Sequence, residues 1–253
     1  MVILDLSPTH NDISGVDVAE ERLTAGKAAL TAAMEREPRV FFPKTSIPKE
    51  GWKNKVCEIV SGWAVRRLGP PHARTPIISV LLPGDLIGVS ELFSESFLDS
   101  IETRSVVAIR SIGYAGVLNL AAGNPDVAMW LLCCVNHQIA QYDKRLGLLA
   151  RGNALEKVAM LLLELHRRFS RVRSSRGKEP VRVPLTQRDI ADYSGLALEY
   201  VSRLLAGLQE RGGVNVLYGA VEIVDPEILA ESASVMAELW VDNLDRARPI
   251  LER

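Results

Sequence analysis

Three polar residues in the last quarter of the chain have side chains suited to the edges of nucleobases. Glu199, Ser202 and Arg203 fall within about one helical turn of each other in the segment LEYVSRLLAGLQE. Arginine offers two donors to guanine O6 and N7, glutamate accepts from cytosine N4, and a small hydroxyl leaves room beside thymine. Residues three and four apart share one helix face, so the three can act on one surface. Glu199 and Arg203 are also an i,i+4 pair, and a plain helix salt bridge is the competing reading.

The surrounding elements weigh on that choice. Thr186 is placed to cap a short helix, with Asp189 three residues on completing a capping-box-like start. Ile190, Ala191 and Tyr193 follow, and Ser194-Gly195-Leu196 reads as a turn that needs glycine's backbone freedom. A second helix starts near Leu198, with Val201, Leu204, Leu205 and Leu208 on its apolar face. Gly212-Gly213 stops it, and two short apolar runs around Tyr218-Gly219 read as a hairpin. Helix, tight turn, helix and hairpin from Pro184 to Val224 form the winged helix-turn-helix pattern, whose second helix enters a DNA major groove. A small helical hairpin of another function has the same spacing. Thr186, Gln187, Arg188 and Tyr200 flank the base-reading trio as candidates for the DNA backbone.

Composition limits the partners. The 253 residues carry a formal net charge of -1, so DNA contact must come from local clustering of charge. One cluster, Arg167, Arg168, Arg171, Arg173, Arg176, Lys178 and Arg182, contains Glu179 as its single acid. It reads either as a solvated linker or as a phosphate-attracting segment. The start MVILDLSPTHND has no basic region followed by a long apolar core, so no signal peptide is expected. The longest apolar run, Val127 to Val135, is too short to cross a bilayer. Cys57, Cys133 and Cys134 form neither an even framework nor a CxxC spacing, which fits a reducing cytoplasm. Catalysis finds no support: His10, His72, His137 and His166 are scattered, and no nucleophile elbow, phosphate loop or HExxH phrase is present.

Along the chain, residues 1–38 read as an extension with a helix from Val18 to Glu37. Residues 39–122 read as a small antiparallel barrel or jelly roll, with strands at Val40-Phe42, Val56-Val60, Ile77-Leu82 and Val106-Ile109 between proline and glycine turns. Asn124-Pro125-Asp126 opens a long helix over 124–151, with proline in its first position. Leu132, Val135, Ile139, Tyr142, Leu146 and Leu149 are spaced three and four apart, the a/d seam of a helix that pairs with another. Gln138, Gln141, Lys144 and Arg145 flank it. A wider stripe packed on its own domain is the alternative. A helix from Ala154 to Phe169 opens the winged module of 153–225, and 226–253 adds a C-terminal helix with Ile228, Leu229, Ala233, Met236, Leu239 and Trp240.

This order resembles the Crp/Fnr superfamily of bacterial transcription regulators from about Val40 to Leu229. The phrases that carry it are Val60-Ser61-Gly62-Trp63-Ala64, Leu81-Leu82-Pro83-Gly84-Asp85-Leu86-Ile87-Gly88 and Asn153-Ala154-Leu155-Glu156-Lys157-Val158-Ala159. Glu199, Ser202 and Arg203 fit the E-x-x-S-R pattern of its Fnr and FixK branch. The resemblance implies an α+β chain with an N-terminal cyclic-nucleotide-binding-like jelly roll, a dimerisation helix and a C-terminal winged helix-turn-helix. It further implies a homodimer on a palindrome of TTGA-type half-sites in double-stranded DNA, and RNA polymerase as a partner. Two positions depart from the pattern. Ala197 stands where Ser or Thr is usual, removing a side-chain cap worth about 1 kcal/mol, and Tyr200 replaces a small residue. These departures keep open a sensor or scaffold that acts through protein partners with weakened DNA binding.

The resemblance also marks an effector pocket at Gly88, Val89, Ser90, Asp99, Ser100 and Tyr142. Members that bind cyclic AMP carry glutamate after the glycine and an arginine-serine pair further on. Here Val89 and Ser90 follow Gly88, and Asp99-Ser100 stands in place of Arg-Ser. Cyclic AMP is therefore not expected. No cysteine precedes Cys57, which argues against the family's iron-sulfur cluster, and His72 in a Gly-Pro-Pro-His loop argues against haem. No metal or cofactor is expected, and an unidentified small molecule stays open as the effector.

Overall fold

The computed structural model describes residues 13–48, 51–70, 75–92, 99–172 and 180–233. Two four-stranded antiparallel sheets form the N-terminal half. Their orders are β1-β8-β3-β6 and β2-β7-β4-β5, with β1 Arg39–Phe41, β2 Ser46–Ile47, β3 Lys55–Ser61, β4 Ala64–Leu68, β5 Ile77–Leu81, β6 Leu86–Ile87, β7 Asp99–Thr103 and β8 Val107–Gly113. The alternation of β8 shows why they close on each other. Val107, Ile109 and Ser111 are buried while Ala108, Arg110 and Ile112 are not. The inward side chains meet Trp52, Cys57, Ile59, Leu81, Ile87 and Ile101 in one core.

The sequence pattern located β1, β3, β5 and β8, with shifts at their ends, and missed the other four. β4 escaped because Arg66 and Arg67 interrupt its apolar run, yet both are largely buried and ion-paired. β7 is likewise masked by Asp99 and Glu102.

Helices account for the other departures. α1 spans Ile13–Ala33 rather than Val18 to Glu37. Beyond it the Glu35 N–H donates to the Ser111 carbonyl at 3.0 Å, and the Ser111 hydroxyl donates to the Glu35 carboxylate at 3.1 Å. These bonds draw the chain onto the sheet and end the helix. Residues 114–122, expected within the barrel, belong to helix α2, Tyr114–Gly123. α3, Pro125–Arg151, starts as the sequence indicates: Asn124 Oδ1 accepts from the Asp126 N–H at 3.1 Å, and proline holds the first position. α4 spans Ala154–Val172. Its opening is a capping box, with Asn153 accepting from the Glu156 N–H at 3.0 Å and donating to the Glu156 carboxylate at 2.8 Å.

The basic cluster is not one linker. Arg167 and Arg168 belong to α4, and Arg182 lies on β9, Val181–Val183, which joins β10, Val214–Leu217, and β11, Ala220–Ile223, in the three-stranded wing sheet β10-β11-β9. Arg168 is turned inward, donating to the Val80 carbonyl at 3.0 Å and pairing with Asp85. Arg173, Arg176, Lys178 and Glu179 lie outside the described residues, as does the side chain of Arg171. Residues 226–233 are helical, with Leu229 and Ala233 in the core. The remainder of the expected C-terminal helix, with Met236, Leu239 and Trp240, lies outside the description. No helix among the described residues is long and apolar enough to cross a membrane.

α1 packs along the first half of α3. Leu23, Leu30 and Met34 meet Val127, Trp130 and Leu131, Arg22 pairs with Asp126 at 2.7 Å, and the Lys27 ammonium lies 5.4 Å from the centre of the Trp130 ring. The two backbones approach so closely that a Cβ on Gly26 would stand 2.1 Å from the Asp126 carbonyl oxygen. Gly26→Ala is therefore expected to force α1 off α3 and cost roughly 1–3 kcal/mol, the usual penalty for overpacking. Urea unfolding checks this, and an unchanged midpoint would contradict the close approach.

Candidate nucleic-acid interface

The helix-turn-helix is built from a cap, a glycine and an apolar wedge. Helix α5, Gln187–Ser194, opens on a full capping box. The Thr186 hydroxyl accepts from the Asp189 N–H at 3.1 Å and donates to the Asp189 carboxylate at 2.8 Å, which also accepts from the Thr186 N–H at 3.0 Å. Gly195 closes the helix in the left-handed region at φ 67°. Helix α6, Leu198–Glu210, then buries Val201, Leu205 and Leu208 against Ile190, Leu185 and Val183 and the wing residues Val214, Val221 and Ile223. The wing hairpin β10 Val214–Leu217 and β11 Ala220–Ile223 is tied back to α6 by the Val216 N–H, which donates to Gln209 Oε1 at 2.7 Å.

With that face committed inward, α6 turns Glu199, Tyr200, Arg203 and Ala206 to solvent, and Ser202 is half-buried between them. Glu199 and Arg203 form no ion pair with each other among the described residues. The Arg203 guanidinium instead lies 5.3 Å from the centre of the Tyr200 ring. A guanidinium within about 6 Å of a ring centroid is drawn to the ring's negative face, and this contact uses none of its N–H donors in a hydrogen bond. Tyr200 is therefore the aromatic neighbour of Arg203 on this face. Ala197 is the N-cap and makes no side-chain cap bond, so the first-turn N–H groups of α6 lack the usual oxygen.

The backbone candidates are less uniform. Arg188 is exposed and Gln187 half-buried. The Thr186 hydroxyl spends its single proton on Asp189, so its donor is already committed. Burial alone raises the Asp189 pKa, but the hydrogen bonds and charge of Arg104, with the bonds from Thr186, outweigh it and hold the carboxyl below its ordinary range. Its contribution to stability is therefore complete above the ordinary value of 3.8 and is lost as pH falls below it through the folded value. Sequence reasoning missed the groups on the underside of α5. Arg67, Arg104, Asp192 and Arg145 lie far apart along the chain, and no local spacing links them.

The seam of α3 faces water. Leu132, Ile139 and Leu146 are 61%, 49% and 67% exposed, Tyr142 and Leu149 are exposed as well, and Val135 is half-buried against the α1–α3 cluster. Two of the expected flanking residues point the other way. Gln138 donates to the Leu86 carbonyl at 3.3 Å, and Arg145 reaches the β5 carbonyls of Ile77 and Ile78, each at 2.6 Å. One face of α3 grips the barrel, and the opposite face presents a continuous apolar stripe.

The six effector positions do not converge. Of these, Tyr142 alone lines the cavity of about 240 Å³ between the barrel, α3, α4 and α5. Gly88 and Val89 are buried at the end of β6, and Ser90 is exposed. Asp99 accepts from Arg66 Nε at 2.5 Å, Glu91 pairs with the same guanidinium, and the buried Ser100 hydroxyl has no hydrogen-bond partner among the described residues. Burial pushes the Cys57 and Cys134 thiols up to about 12 and raises Cys133, so these sulfurs stay protonated and weakly nucleophilic at neutral pH.

Residues 156–232 match the model of the Crp-like helix-turn-helix domain. The nitrogen fixation regulation protein FixK of Rhizobium meliloti is 30% identical over 192 residues, covering 75% of this chain and 83% of that relative. FixK of Bradyrhizobium diazoefficiens is 28% identical over 156 residues, covering 62% of this chain and 64% of the relative. The solved structure of FixK2 from Bradyrhizobium japonicum shares the fold, with a TM-score of 0.64 at 24% identity over 78% of this chain and 97% of that one.

The stripe on α3 yields a direct expectation. Ile139→Glu places a charge at its centre and is expected to give monomers by analytical ultracentrifugation under conditions in which the unaltered chain is expected to sediment as a dimer. Dimers that persist in the variant would remove α3 from the interface.

Proposed function

The chain belongs to the Crp/Fnr family of DNA-binding transcription regulators, and on that premise we propose that it reads a palindrome as a homodimer. The observation that carries this reading is the exposed polar face of α6. Arg203 and Glu199 stand free of each other over a helix whose opposite side is fully packed. In this reading Arg203 takes guanine, Glu199 accepts from cytosine and Ser202 sits beside thymine, in half-sites of the TTGA type. Arg188, Gln187 and Tyr200 approach the sugar-phosphate backbone, and Thr186 contributes by holding α5 in place.

The exposed stripe of α3 supports pairing with a second copy. Two recognition helices displayed by such a pair fit successive major grooves about 34 Å apart. RNA polymerase is the protein partner this role calls for. The β-roll acts as a sensor or scaffold without catalysis. Cyclic AMP is a poor candidate for it, because Arg66, the guanidinium beside Asp99, is already shared by two carboxylates.

Arg203→Ala is the test of base reading. It is expected to cost roughly 1–3 kcal/mol on the palindrome that the unaltered protein selects from a random duplex library, and little on non-specific DNA. Fluorescence anisotropy on both duplexes measures this. Equal losses on the two would take Arg203 out of base recognition.

A further inference from the structure

The winged unit meets the rest of the chain through two kinds of contact, and only one of them sets an angle. The first is apolar. Trp63 lies against Phe169 with ring centroids 5.0 Å apart, and Ile77, Val80 and Leu82 share a core with α4 and α5. Burial of apolar area is non-directional, so such a surface holds two bodies together without fixing their rotation.

The second kind is a set of charge-assisted bonds that grips α5 at both ends. From the barrel, Arg67 Nη1 donates to the Asp192 carboxylate at 2.8 Å, and its Nη2 donates to Asp189 at 3.1 Å. Arg104 donates to both oxygens of Asp189, from Nη2 at 2.6 Å and Nε at 3.1 Å. Glu102 stands 3.2 Å from each guanidinium and holds the two together. At the other end of α5, Arg145 of α3 donates to the Tyr193 carbonyl at 2.7 Å, and its guanidinium carbon lies 4.0 Å from the centre of the Tyr193 ring. That carbonyl belongs to the last turn of α5, where the helix dipole favours a cation. The same guanidinium is fixed to β5 through Ile77 and Ile78. Forked bonds of this sort are short and directional. Because α5 packs on α6 through Ile190, Val201 and Leu205, holding α5 at two ends fixes the direction of α6.

We propose that Arg67, Arg104 and Arg145 are positioning residues for operator recognition: through α5 they lock each recognition helix at one angle to α3, so that a dimer accepts one half-site spacing. The proposal rests on the reading of α6 as the DNA-contacting helix and α3 as the seam. None of the three arginines is needed for base contact. Their loss therefore acts on how two half-sites are combined and spares the reading of one.

The Arg67–Asp192 pair is the cleanest probe, since Asp189 also caps α5. Full-length protein is titrated on the palindrome selected by the unaltered chain, on that palindrome with two base pairs added or removed at its centre, and on a duplex with one half-site scrambled. Asp192→Arg is expected to weaken binding to the selected palindrome by roughly tenfold or more, a share of the gain that linking two sites confers. It should also flatten the preference among spacings and leave the scrambled duplex within about twofold. Asp192→Glu keeps a carboxylate for Arg67 and is expected to retain the spacing preference. Arg145→Lys keeps the charge but cannot fork across the Ile77, Ile78 and Tyr193 carbonyls, so it should flatten the preference too. An unaltered spacing preference in either Asp192→Arg or Arg145→Lys overturns the clamp, as does a loss of the preference in Asp192→Glu equal to that in Asp192→Arg. A wild-type chain that selects no palindrome overturns the DNA reading beneath it instead.

Discussion

α3 has to satisfy two opposed faces at once, and the rest of the molecule is arranged around that requirement. Its 27 residues make a rod about 40 Å long. The inner face is committed, to α1 and α2 along the first half and to the barrel and α5 further on. The outer face leaves Leu132, Ile139, Tyr142, Leu146 and Leu149 in water. Removing such a stripe from solvent is favourable by about 25 cal/mol for each Å² of apolar area. A second copy offers the same spacing in return, as closed two-fold association requires.

Buried charge in and behind the barrel follows a complementary rule. Buried guanidinium groups are expensive without partners, and three are paired with carboxylates: Arg66 with Glu91 and Asp99, Arg67 with Glu102, Asp189 and Asp192, Arg168 with Asp85 and Glu164. Burial alone lowers the pKa of Arg66, Arg67 and Arg168, and the neighbouring carboxylates outweigh it and raise all three. Two of these clusters cross from the barrel to the helices behind it, so the same charges that make the strands tolerable also join the halves of the chain. An anion brought to Asp99 meets two carboxylates and a guanidinium already in use.

Features set by neighbours in sequence were legible without coordinates. The Thr186–Asp189 box, the left-handed Gly195, the Asn124-Pro125 start of α3, the uncapped Ala197 and the stripe on α3 each depend on residues within a few positions of one another. What escaped depends on partners far away. β4 looks unlike a strand until Asp99, Glu91 and Asp192 are set beside its arginines. β9 lay hidden in a run that composition marks as basic and that pairing marks as a strand, with Arg182 opposite Glu222. Arg145 reads as a surface residue beside a seam, but contacts 48 to 68 positions away turn it inward. The effector positions failed to converge for a related reason, since Asp99 is held by Arg66 and turned from the cavity that Tyr142 lines.

The most direct measurement is the distance between the two copies of α6 on DNA. Glu210 is exposed at the C-terminal end of that helix, beyond the base-reading trio, so a spin label at position 210 of each protomer can be read by pulsed electron resonance with the dimer on its selected palindrome. Two helices displayed by one α3 pair into successive major grooves predict a narrow distribution centred at about 34 Å. A broad distribution, or a narrow one far from a single turn of the duplex, would contradict it.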